Sequence, residues 1–587
     1  MTEKASQIFT ELYGASAAER CTAELDSRLR QMRESINSAV PRRGHTSAPA
    51  RRPNGRQTFL PLDQRDSTLV TYGDTIYDGE QSPLRSLHEF LDLHLAGAIS
   101  GVHVLPFCPY SSDDGFAVID YRSVNPELGD WSDLTRIASS YTLMADLVLN
   151  HCSSSHEWFQ RFLRGESPYD RYFITVSPDA DTSPIARPRA VPLLTPVDTA
   201  TGRKHVWTTF SADQPDLNYA EPRVLFEMID ILLFYLARGV RVIRLDAVAY
   251  LWKEPGTSCI HLPQTHAVVR LLRLILEDVA PEAILITETN VPHEENISYF
   301  GNGFDESHLV YNFPLPPLTL DAFIRGDASH LQSWARSLEF PSSATTYFNF
   351  LASHDGIGLL PTHGILTHAE REYLVETVVS RGGYVSYKST AEGDIPYEIN
   401  CSYFSAIADP NQSEETRIRA FVAAHAIMFA LAGIPAVYIH SMLGSRNWHE
   451  GVERTGEKRS INRPKLSYEQ LSSELADPGS LRSRVLHRLR KLLSVRSEHT
   501  AFSPESPQEI LGSPAELFVV RRGSADERDT VICIQNVSAE PVEYRIPPDA
   551  QSSGRLFDII TGELVQPEAD RSVTIAGYGV LWLNSCV

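Results

Sequence analysis

Hydrophobic residues recur along this chain in two alternating patterns. Short runs rich in Val, Ile, Leu, Tyr and Phe, typical of buried strands, alternate with longer stretches that have helical spacing. In the stretch 265–280, for example, one apolar helix face contains Val268, Leu272, Ile275 and Val279. Eight strand candidates follow one another in this way, at 68–74, 101–107, 142–151, 239–247, 283–290, 308–313, 346–355 and 433–439. This alternation predicts an α/β fold whose parallel strands close into a (β/α)8 barrel, the TIM barrel.

Two segments interrupt the alternation and predict insertions into the barrel. Residues 151–216 contain RPRAVPLLTP and few helix signals, which favours an inserted domain B after the third strand. Residues 357–408 follow the seventh strand and predict an inserted loop domain. From residue 500 the pattern changes to period-two strands with turns, which predicts a C-terminal antiparallel β domain at 500–587. The barrel is then expected at 61–150, 217–356 and 409–499.

Residues 1–60 predict a helical N-terminal extension followed by a linker. Apolar residues, among them Ile8, Leu12, Leu25 and Leu29, recur at helical intervals in its first part. The stretch 41–56, PRRGHTSAPARRPNGR, has almost no apolar residue and is typical of a solvated connector. Its basic run is the basis of an alternative interpretation as a binding arm.

Composition excludes several classes of function. The chain has 53 Lys and Arg against 74 Asp and Glu, and the net charge of −21 argues against a protein that coats nucleic acid. Seven irregularly spaced cysteines without a CxxC pair argue against a disulfide framework and a structural zinc site, and they favour a reducing cytoplasm. The first twenty residues lack the apolar run of an export signal, and no apolar stretch approaches the length of a membrane span.

Charged and polar residues gather at the carboxyl ends of the predicted strands, where barrels of this kind have their active sites. They follow the third, fourth, fifth and seventh strands: Asp146, Asn150, His151, Arg244, Asp246, Glu288, His354 and Asp355. Like charges crowded into one cleft cost free energy unless they are used. Paired carboxyl groups suit a retaining glycoside mechanism, in which a nucleophile and an acid lie about 5–5.5 Å apart.

The spacing of these residues predicts their roles. Arg244 and Asp246 are two residues apart and therefore share one face of a strand. A guanidinium in that place is expected to keep Asp246 ionised, which makes Asp246 the nucleophile and Glu288 the acid/base. Asp355 is expected to brace the sugar hydroxyls.

A metal site at Asp146, Asn150 and His151 is the rival interpretation of the acidic cluster. Neither an EF-hand loop nor HExxH is present in the sequence, and we expect no metal and no cofactor. The patterns GxxxxGK[ST] and GxSxG are also absent, which argues against nucleoside triphosphate chemistry and against a serine nucleophile.

Four of these strand ends resemble the signature regions of the α-amylase superfamily, glycoside hydrolase family 13. DLVLNH, RLDA, ITETN and ASHDG occur in the order of that family. HVLPFCPYSSDDGFAVIDY, the RPR loop, SHDGIG and INRPK are similar to the sucrose phosphorylase group. KEPGTSCIHL, ITETNVPH, LGSRN and the N-terminal extension resemble the glucosylglycerate phosphorylase branch of that group. The similarity covers about 65–500.

The resemblance implies a reversible double displacement that passes through a glucosyl-enzyme on Asp246. Phosphate then releases α-D-glucose 1-phosphate with net retention, and Glu288 serves both steps. Together with Tyr250, which follows Asp246 by four residues, the family pattern implies a set of substrate-binding residues: Asp113, Phe116, His151, Phe210, Arg244, Tyr250, His354 and Arg463.

The acceptor side is expected to carry local cations, because phosphate and glycerate are anions and the chain as a whole is acidic. Arg187 and Arg189 in RPR are the candidates, since arginine binds phosphate or carboxylate through two hydrogen bonds. The alternative is that they only brace the inserted domain. Tyr397 and Glu398 are expected to alternate with them as substrates exchange.

The expected activity is that of a retaining glucoside phosphorylase acting on 2-O-α-D-glucosyl-D-glycerate in the cytoplasm, as a monomer or homodimer. Its expected partners are small molecules, an α-glucoside and inorganic phosphate. Sucrose, sucrose 6′-phosphate and glucosylglycerol are alternative substrates, and hydrolysis or transglucosylation is the alternative reaction. A non-catalytic sugar-binding protein is the alternative from another class, and the three intact carboxylates argue against it.

Overall fold

The protein is described here by a computed structural model that covers residues 1–38, 62–189, 191–390, 393–524, 529–548 and 555–586. Its centre is a closed barrel of eight parallel strands. We number them β1 to β8 in chain order: Thr68–Thr71, Gly101–Val104, Thr142–Val148, Val240–Asp246, Ile284–Thr287, Leu309–Tyr311, Thr346–Phe350 and Ile434–Tyr438. Each of the eight strand candidates forms one of these strands, so the predicted fold class is confirmed. The predicted connector at 41–56 lies outside the described residues.

The barrel closes through its first strand. Thr68 of β1 lies opposite Gly101 of β2 and opposite Ala436 of β8, and the other strands neighbour one another in chain order. Because all strands are parallel, their carboxyl ends meet on one rim, and the residues that follow them lie close together.

Helices surround the barrel and bury apolar faces against it. Pro263–Val279 buries the predicted apolar face, and its initial proline suits the first helical turn, where a backbone N–H has no helical partner. None of the helices within the described ranges is long and apolar enough to cross a membrane. The α-helices are Thr2–Tyr13, Ala15–Ser38, Pro83–Phe90, Trp131–Ser140, Glu157–Leu163, Pro222–Ala237, Pro263–Val279, His293–Ile297, Leu315–Arg325, Ser329–Arg336, His368–Ser380, Tyr403–Ile407, Glu414–Ala430, Ile439–Met442, His449–Thr455, Tyr468–Ala476 and Leu481–Glu498.

Two insertions carry their own small sheets. The segment between β3 and β4 contains the antiparallel hairpin of Leu194–Thr199 and Gly202–Trp207. The segment between β7 and β8 contains a three-stranded antiparallel sheet formed by Ile357–Gly358, Gly393–Asn400 and Tyr384–Thr390. A further short parallel pair joins Ile76–Tyr77 to Leu466–Ser467.

The C-terminal part forms antiparallel sheets with two buried faces. On one face, Leu517, Val519 and Ile534 belong to a separate apolar core, whereas Phe518 and Trp582 join the core of the barrel. Neighbouring residues such as Leu517 and Phe518 belong to different cores because successive side chains of a strand point to opposite faces of the sheet. The strands are Gln508–Ile510, Leu517–Gly523, Thr530–Asn536, Val580–Cys586, Arg555–Asp558 and Glu563–Val565 in one sheet, with Val542–Arg545 and Ser572–Ile575 in a second.

The N-terminal extension is a helical hairpin that packs on the outside of the barrel. Its two helices are separated by Gly14, whose φ of 79° is in the left-handed region. Phe9 is fully buried, with its ring centroid 5.9 Å from that of Phe226 on a barrel helix. Ion pairs at its edge join Arg28 to Asp230 at 2.9 Å, so the hairpin is part of the folded barrel unit.

We expect Phe9→Ala to destabilise the protein by about 3–5 kcal/mol, because it removes a fully buried ring and leaves a cavity between the hairpin and the barrel. Denaturant unfolding measures the change. Lys4→Ala, an exposed position on the same helix, is the matched control and is expected to change the stability by less than about 0.5 kcal/mol. Equal stabilities of the two variants would contradict the packing described here.

Candidate active site

A cavity of about 430 Å³ opens on the rim where the barrel strands end. It is lined by residues that follow β3, β4, β5 and β7 and by residues of both insertions. Every one of the site residues predicted from the sequence lines this cavity: Asp113, Phe116, His151, Arg187, Arg189, Phe210, Arg244, Asp246, Tyr250, Glu288, His354, Asp355, Tyr397, Glu398 and Arg463. The fold therefore brings together residues that are up to 350 positions apart in the sequence.

Arg244 on β4 holds the centre of the site. Its side chain is 3% exposed, and Nη1 donates to Asp246 Oδ1 at 2.8 Å and to Asp146 Oδ1 at 2.5 Å. Nη2 lies 3.8 Å from Glu288 Oε2. The rings of Phe116 and Tyr311 lie 5.8 Å and 5.6 Å from the guanidinium carbon, within the range of cation–π contacts. One buried cation thus orients two carboxyl groups that face the same cavity.

The backbone beside Arg244 helps to place the acid of β5. Ala247 follows Asp246 and has a φ of 48°, a left-handed conformation that non-glycine residues rarely adopt. Its N–H donates to Glu288 Oε2 at 3.1 Å. Such strain is typical of functional sites, where the surrounding structure maintains it.

Asp246 is buried, the Glu288 side chain is 15% exposed, and the two carboxyl groups interact with each other. Burial raises the pKa of both groups above their ordinary values, and neighbouring carboxylates add to the effect. Arg244 lowers both pKa values without offsetting burial, so its guanidinium does not hold the pKa of Asp246 at the ordinary value. The pair instead retains one proton near neutral pH. Because Arg244 contacts Asp246 more closely, that proton is favoured on Glu288.

Asp146 lies beneath the cavity and does not line it. Its side chain has no exposed surface, and its two oxygens bind Arg244 and His103 Nε2, the latter at 2.8 Å. The interaction with His103 and Arg244 lowers the pKa of Asp146 to about 2, although burial opposes it. Asp146 therefore orients Arg244 from below.

Two buried histidines form uncharged walls of the cavity. Burial lowers the pKa of His151 to about 4 and that of His354 to about 3, so both rings are neutral near pH 7. His151 Nε2 donates to the carbonyl of Phe116 at 3.0 Å. The Phe116 ring stacks on His354 with centroids 5.2 Å apart, and Phe210 contacts the Tyr250 ring edge-on at 5.6 Å.

The outer wall is formed by pairs of arginine and aspartate. Asp113 Oδ2 accepts from Arg189 at 3.1 Å, whereas Arg463 pairs with Asp114. Arg463 also donates from Nε to the carbonyl of His354 at 2.8 Å. Asp113 and Asp114 have φ values of 55° and 47°, and this unusual turn directs the two neighbouring carboxylates to different arginines.

The predicted acceptor residues occupy different environments. Arg189 is partly buried over the Phe210 ring, with 5.5 Å between the guanidinium carbon and the ring centroid. Arg187 is exposed and bonds the carbonyl of Val191 in its own loop. Tyr397 lines the cavity, and Glu398 is buried in an ion pair with Arg459.

The residues present do not fit the rival metal interpretation. Asn150 Oδ1 accepts from Lys253 Nζ at 2.6 Å, and the same ammonium lies 2.6 Å from Asp216 Oδ2. The oxygens of Asp146 are used by Arg244 and His103 as described above. The positive charge of Lys253 therefore already binds the oxygens of Asn150 and Asp216 that a metal ion would use.

Sequence reasoning missed several residues of this site. Arg459 lies four residues before the predicted Arg463 in KRSINRPK. This spacing across one short turn could have indicated that both arginines reach the same cavity. Gln214, which donates to Asp113 at 3.1 Å, and Lys253 carry no recognisable motif. Asn290 also lines the cavity, and its buried Oδ1 has no hydrogen-bond partner among the described residues.

Comparisons with known proteins agree with this geometry. The family description "Alpha amylase, catalytic domain" matches residues 95–359. The glucosylglycerate phosphorylase of Spirochaeta thermophila is 53% identical over 537 residues, which cover 89% of this chain and 91% of that protein. The protein of the same name from Escherichia coli is 43% identical over 528 residues, 90% of this chain and 91% of that protein.

A solved structure is similar over most of the fold. The sucrose 6F-phosphate phosphorylase from Thermoanaerobacter thermosaccharolyticum superposes with a TM-score of 0.71 at 26% identity, covering 81% of this chain and 94% of that chain. The strand-end motifs, the cavity they line and the extent of these similarities lead to one conclusion. The chain belongs to the α-amylase family, glycoside hydrolase family 13, and within it to the sucrose phosphorylase-like group.

Proposed function

We propose that this protein is a retaining phosphorylase that cleaves 2-O-α-D-glucosyl-D-glycerate with inorganic phosphate, forming α-D-glucose 1-phosphate and D-glycerate. The observation that carries the proposal is one guanidinium, Arg244, shared by Asp246 and Glu288 in a single cavity. The relatives at 43% and 53% identity are both named glucosylglycerate phosphorylase, which supports the choice of glycerate.

In the first half-reaction Asp246 attacks C1 of the glucosyl group. The bond from C1 to O2 of glycerate breaks, and Glu288 transfers its proton to that oxygen. A carboxyl group whose pKa is raised by burial suits this step. The product is a β-glucosyl-enzyme on Asp246, and D-glycerate leaves.

In the second half-reaction a phosphate oxygen attacks C1 from the face that glycerate left. The bond from C1 to Asp246 breaks, and Glu288 accepts the proton that phosphate gives up. Two inversions give net retention. Arg244 stabilises the carboxylate of Asp246 each time it is released, and because it is buried it needs no reorganisation.

The glucose ring is held by the neutral and charged walls of the cavity. We assign hydroxyl contacts to Asp355, Arg463, His151 and His354, all of which line the cavity. The rings of Phe116, Phe210 and Tyr250 line the cavity and supply π-electrons for the positive charge that develops at C1.

The acceptor side takes anions, and Arg189 is the cation that we assign to them. Its guanidinium lies in the cavity wall and is paired there with Asp113. Arginine exchanges one oxyanion partner for another without losing its charge. Asp113 thus serves as the partner of Arg189 when phosphate or glycerate does not.

We further propose that the enzyme acts in the cytoplasm. Six of the seven cysteines are buried and form no disulfide with one another: Cys21, Cys108, Cys152, Cys259, Cys401 and Cys533. Buried thiols of this kind suit a reducing compartment, and inorganic phosphate is available there.

The reaction is tested by incubating the purified protein with glucosylglycerate in the presence and absence of phosphate. We expect glucose 1-phosphate to appear only with phosphate. In the reverse direction, glucose 1-phosphate is offered with D-glycerate, fructose, fructose 6-phosphate or glycerol, and D-glycerate is expected to be glucosylated fastest. A faster reaction with another acceptor reassigns the substrate, and phosphate-independent release of glucose reassigns the reaction to hydrolysis.

Asp246→Asn and Glu288→Gln are each expected to lower kcat by about 10³-fold or more, since each removes a step that no neighbouring group can supply. α-D-Glucosyl fluoride separates the two roles, because fluoride leaves without a proton. We expect Glu288→Gln to regain formation of the glucosyl-enzyme with this substrate, whereas Asp246→Asn stays inactive. Recovery of Asp246→Asn instead would exchange the two assignments.

Arg189→Ala is expected to reduce phosphorolysis about 10- to 100-fold more than hydrolysis of the same glucoside, because only phosphorolysis needs a cation for the acceptor. Initial rates of glucose 1-phosphate and glucose release give the ratio. Arg203→Ala, an exposed position in the same insertion, is the matched control and should leave the ratio unchanged. Equal losses in both reactions would mean that Arg189 only braces the insertion.

A further inference from the structure

Arg459 lines the cavity but has no role in the double displacement proposed above. Arg459 lies in the short 3-10 turn Lys458–Asn462, after β8, and its side chain is 27% exposed. Nη1 donates to Asp355 Oδ1 at 2.6 Å. Nε and Nη2 donate to the two carboxylate oxygens of Glu398 at 3.1 Å and 2.6 Å. A single planar guanidinium therefore holds two carboxylates in fixed directions.

Glu398 belongs to the acceptor side of the cavity. It lies on the strand Gly393–Asn400, next to Tyr397, and pairs with Gly358 in the small sheet. The Glu398 side chain is 2% exposed, and within the described ranges Arg459 is its ion-pair partner. Removing the partner of a buried carboxylate strongly destabilises the folded protein, because an uncompensated charge stays buried.

The backbone is shaped for this contact. A Cβ atom at Gly356, the residue after Asp355, would lie 2.4 Å from Cγ of Glu398. That distance is too short for any side chain at position 356, so glycine is what permits Glu398 to reach Arg459. The close approach joins the residue of the glucose subsite to the acceptor-side sheet.

Asp355 is the other end of this bridge. Burial would raise its pKa, but Arg459 above all, and more weakly Arg463 and Arg244, hold the pKa of this carboxyl well below its usual range. The groups that face Asp355 from the surrounding elements are the cations Arg459, Arg463 and Arg244, the acids Asp246 and Glu288, and the neutral His354, Tyr72, Tyr397 and Tyr438.

We infer that Arg459 is a positioning residue. Through Glu398 it locks the acceptor-side hairpin, formed by Tyr384–Thr390 and Gly393–Asn400, to Asp355 in the glucose subsite. The inference rests on the proposed function, which assigns glucose to Asp355 and the acceptor to the hairpin. Tyr397 precedes Glu398 on the locked strand, so the lock presents its side chain to the acceptor in one geometry. Such pre-orientation lowers the entropic cost of placing phosphate or glycerate against C1.

Arg459→Gln tests the lock because it removes the charge and the bidentate contact together. We expect kcat/KM for glucosylglycerate to fall by about 100-fold and the KM for phosphate to rise. Loss of the guanidinium also raises the pKa of Asp355, so its carboxylate is lost at a higher pH. In the wild type the acid limb of kcat/KM reports the ionisation of the nucleophile Asp246, so the added protonation of Asp355 is expected to make that limb steeper and to move it to higher pH.

Arg459→Lys separates charge from geometry. A lysine ammonium keeps the positive charge but cannot bind Glu398 through two parallel hydrogen bonds. We expect this variant to return the acid limb towards that of the wild type while the KM for phosphate stays raised. Full recovery of both quantities would show that geometry is unimportant and would overturn the lock.

Lys458→Gln is the matched control. Lys458 is the preceding residue of the same turn and contacts the same hairpin, through the carbonyl of Val385 at 2.7 Å, but it touches neither carboxylate. We expect it to leave the acid limb in place. If Arg459→Gln likewise leaves the limb in place and changes only the melting temperature, Arg459 is a general scaffold residue and the inference fails.

A double-mutant cycle tests the link to Glu398 directly. If the two residues act through each other, Arg459→Gln combined with Glu398→Gln should be no more than about threefold worse than Arg459→Gln alone. Multiplicative losses would overturn the link. The pH profiles are measured on hydrolysis of α-D-glucosyl fluoride, which needs neither phosphate nor glycerate, so the outcome stays readable even if the proposed aglycone or acceptor is wrong.

Discussion

The site depends on one buried charge, the guanidinium of Arg244. Without it, Asp246 and Glu288 would lose the cation that opposes the effect of burial on their pKa values, and Asp146 would keep only His103 as its partner among the described residues. With it, one carboxylate is oriented below and two carboxyl groups are oriented above, at 2.5, 2.8 and 3.8 Å. The strand geometry supplies this arrangement, because residues 244 and 246 share a face of β4 and residue 288 follows the neighbouring strand.

Around this charge the protein keeps its other polar walls neutral. His151 and His354 are too buried to be protonated near pH 7. Phe116 stacks on His354, and Phe210 contacts His151 at a tilt. Because these walls carry no charge, the net charge of the cleft is determined by the few carboxylates and the arginines with which they pair. For a protein of net charge −21 this matters, since an anion such as phosphate is accepted only where local arginines outweigh the surrounding field.

The insertions and the extension are part of the same construction. The first insertion brings Arg189 and Gln214 to Asp113, and the second brings Glu398 to Arg459, so the cavity is completed by residues outside the barrel. The N-terminal hairpin reaches the same region: Tyr13 donates to the carbonyl of Tyr219, whose hydroxyl donates to Leu149 beside Asn150 and His151. Elements outside the regular barrel thereby complete the site in which the barrel can bind its ligands.

The sequence alone determined the barrel, its eight strands and the three acids at their ends, because the period of apolar residues and the rule that parallel strands end on one rim need no tertiary information. It also identified the arginines of RPR as cavity residues. It could not determine the pairing of Asp113 with Arg189, of Arg463 with Asp114, or of Lys253 with Asn150, nor the raised pKa of Asp246. Those facts depend on burial and on contacts between segments far apart in the chain, and only the packed structure decides which oppositely charged group is nearest and how much water remains beside it.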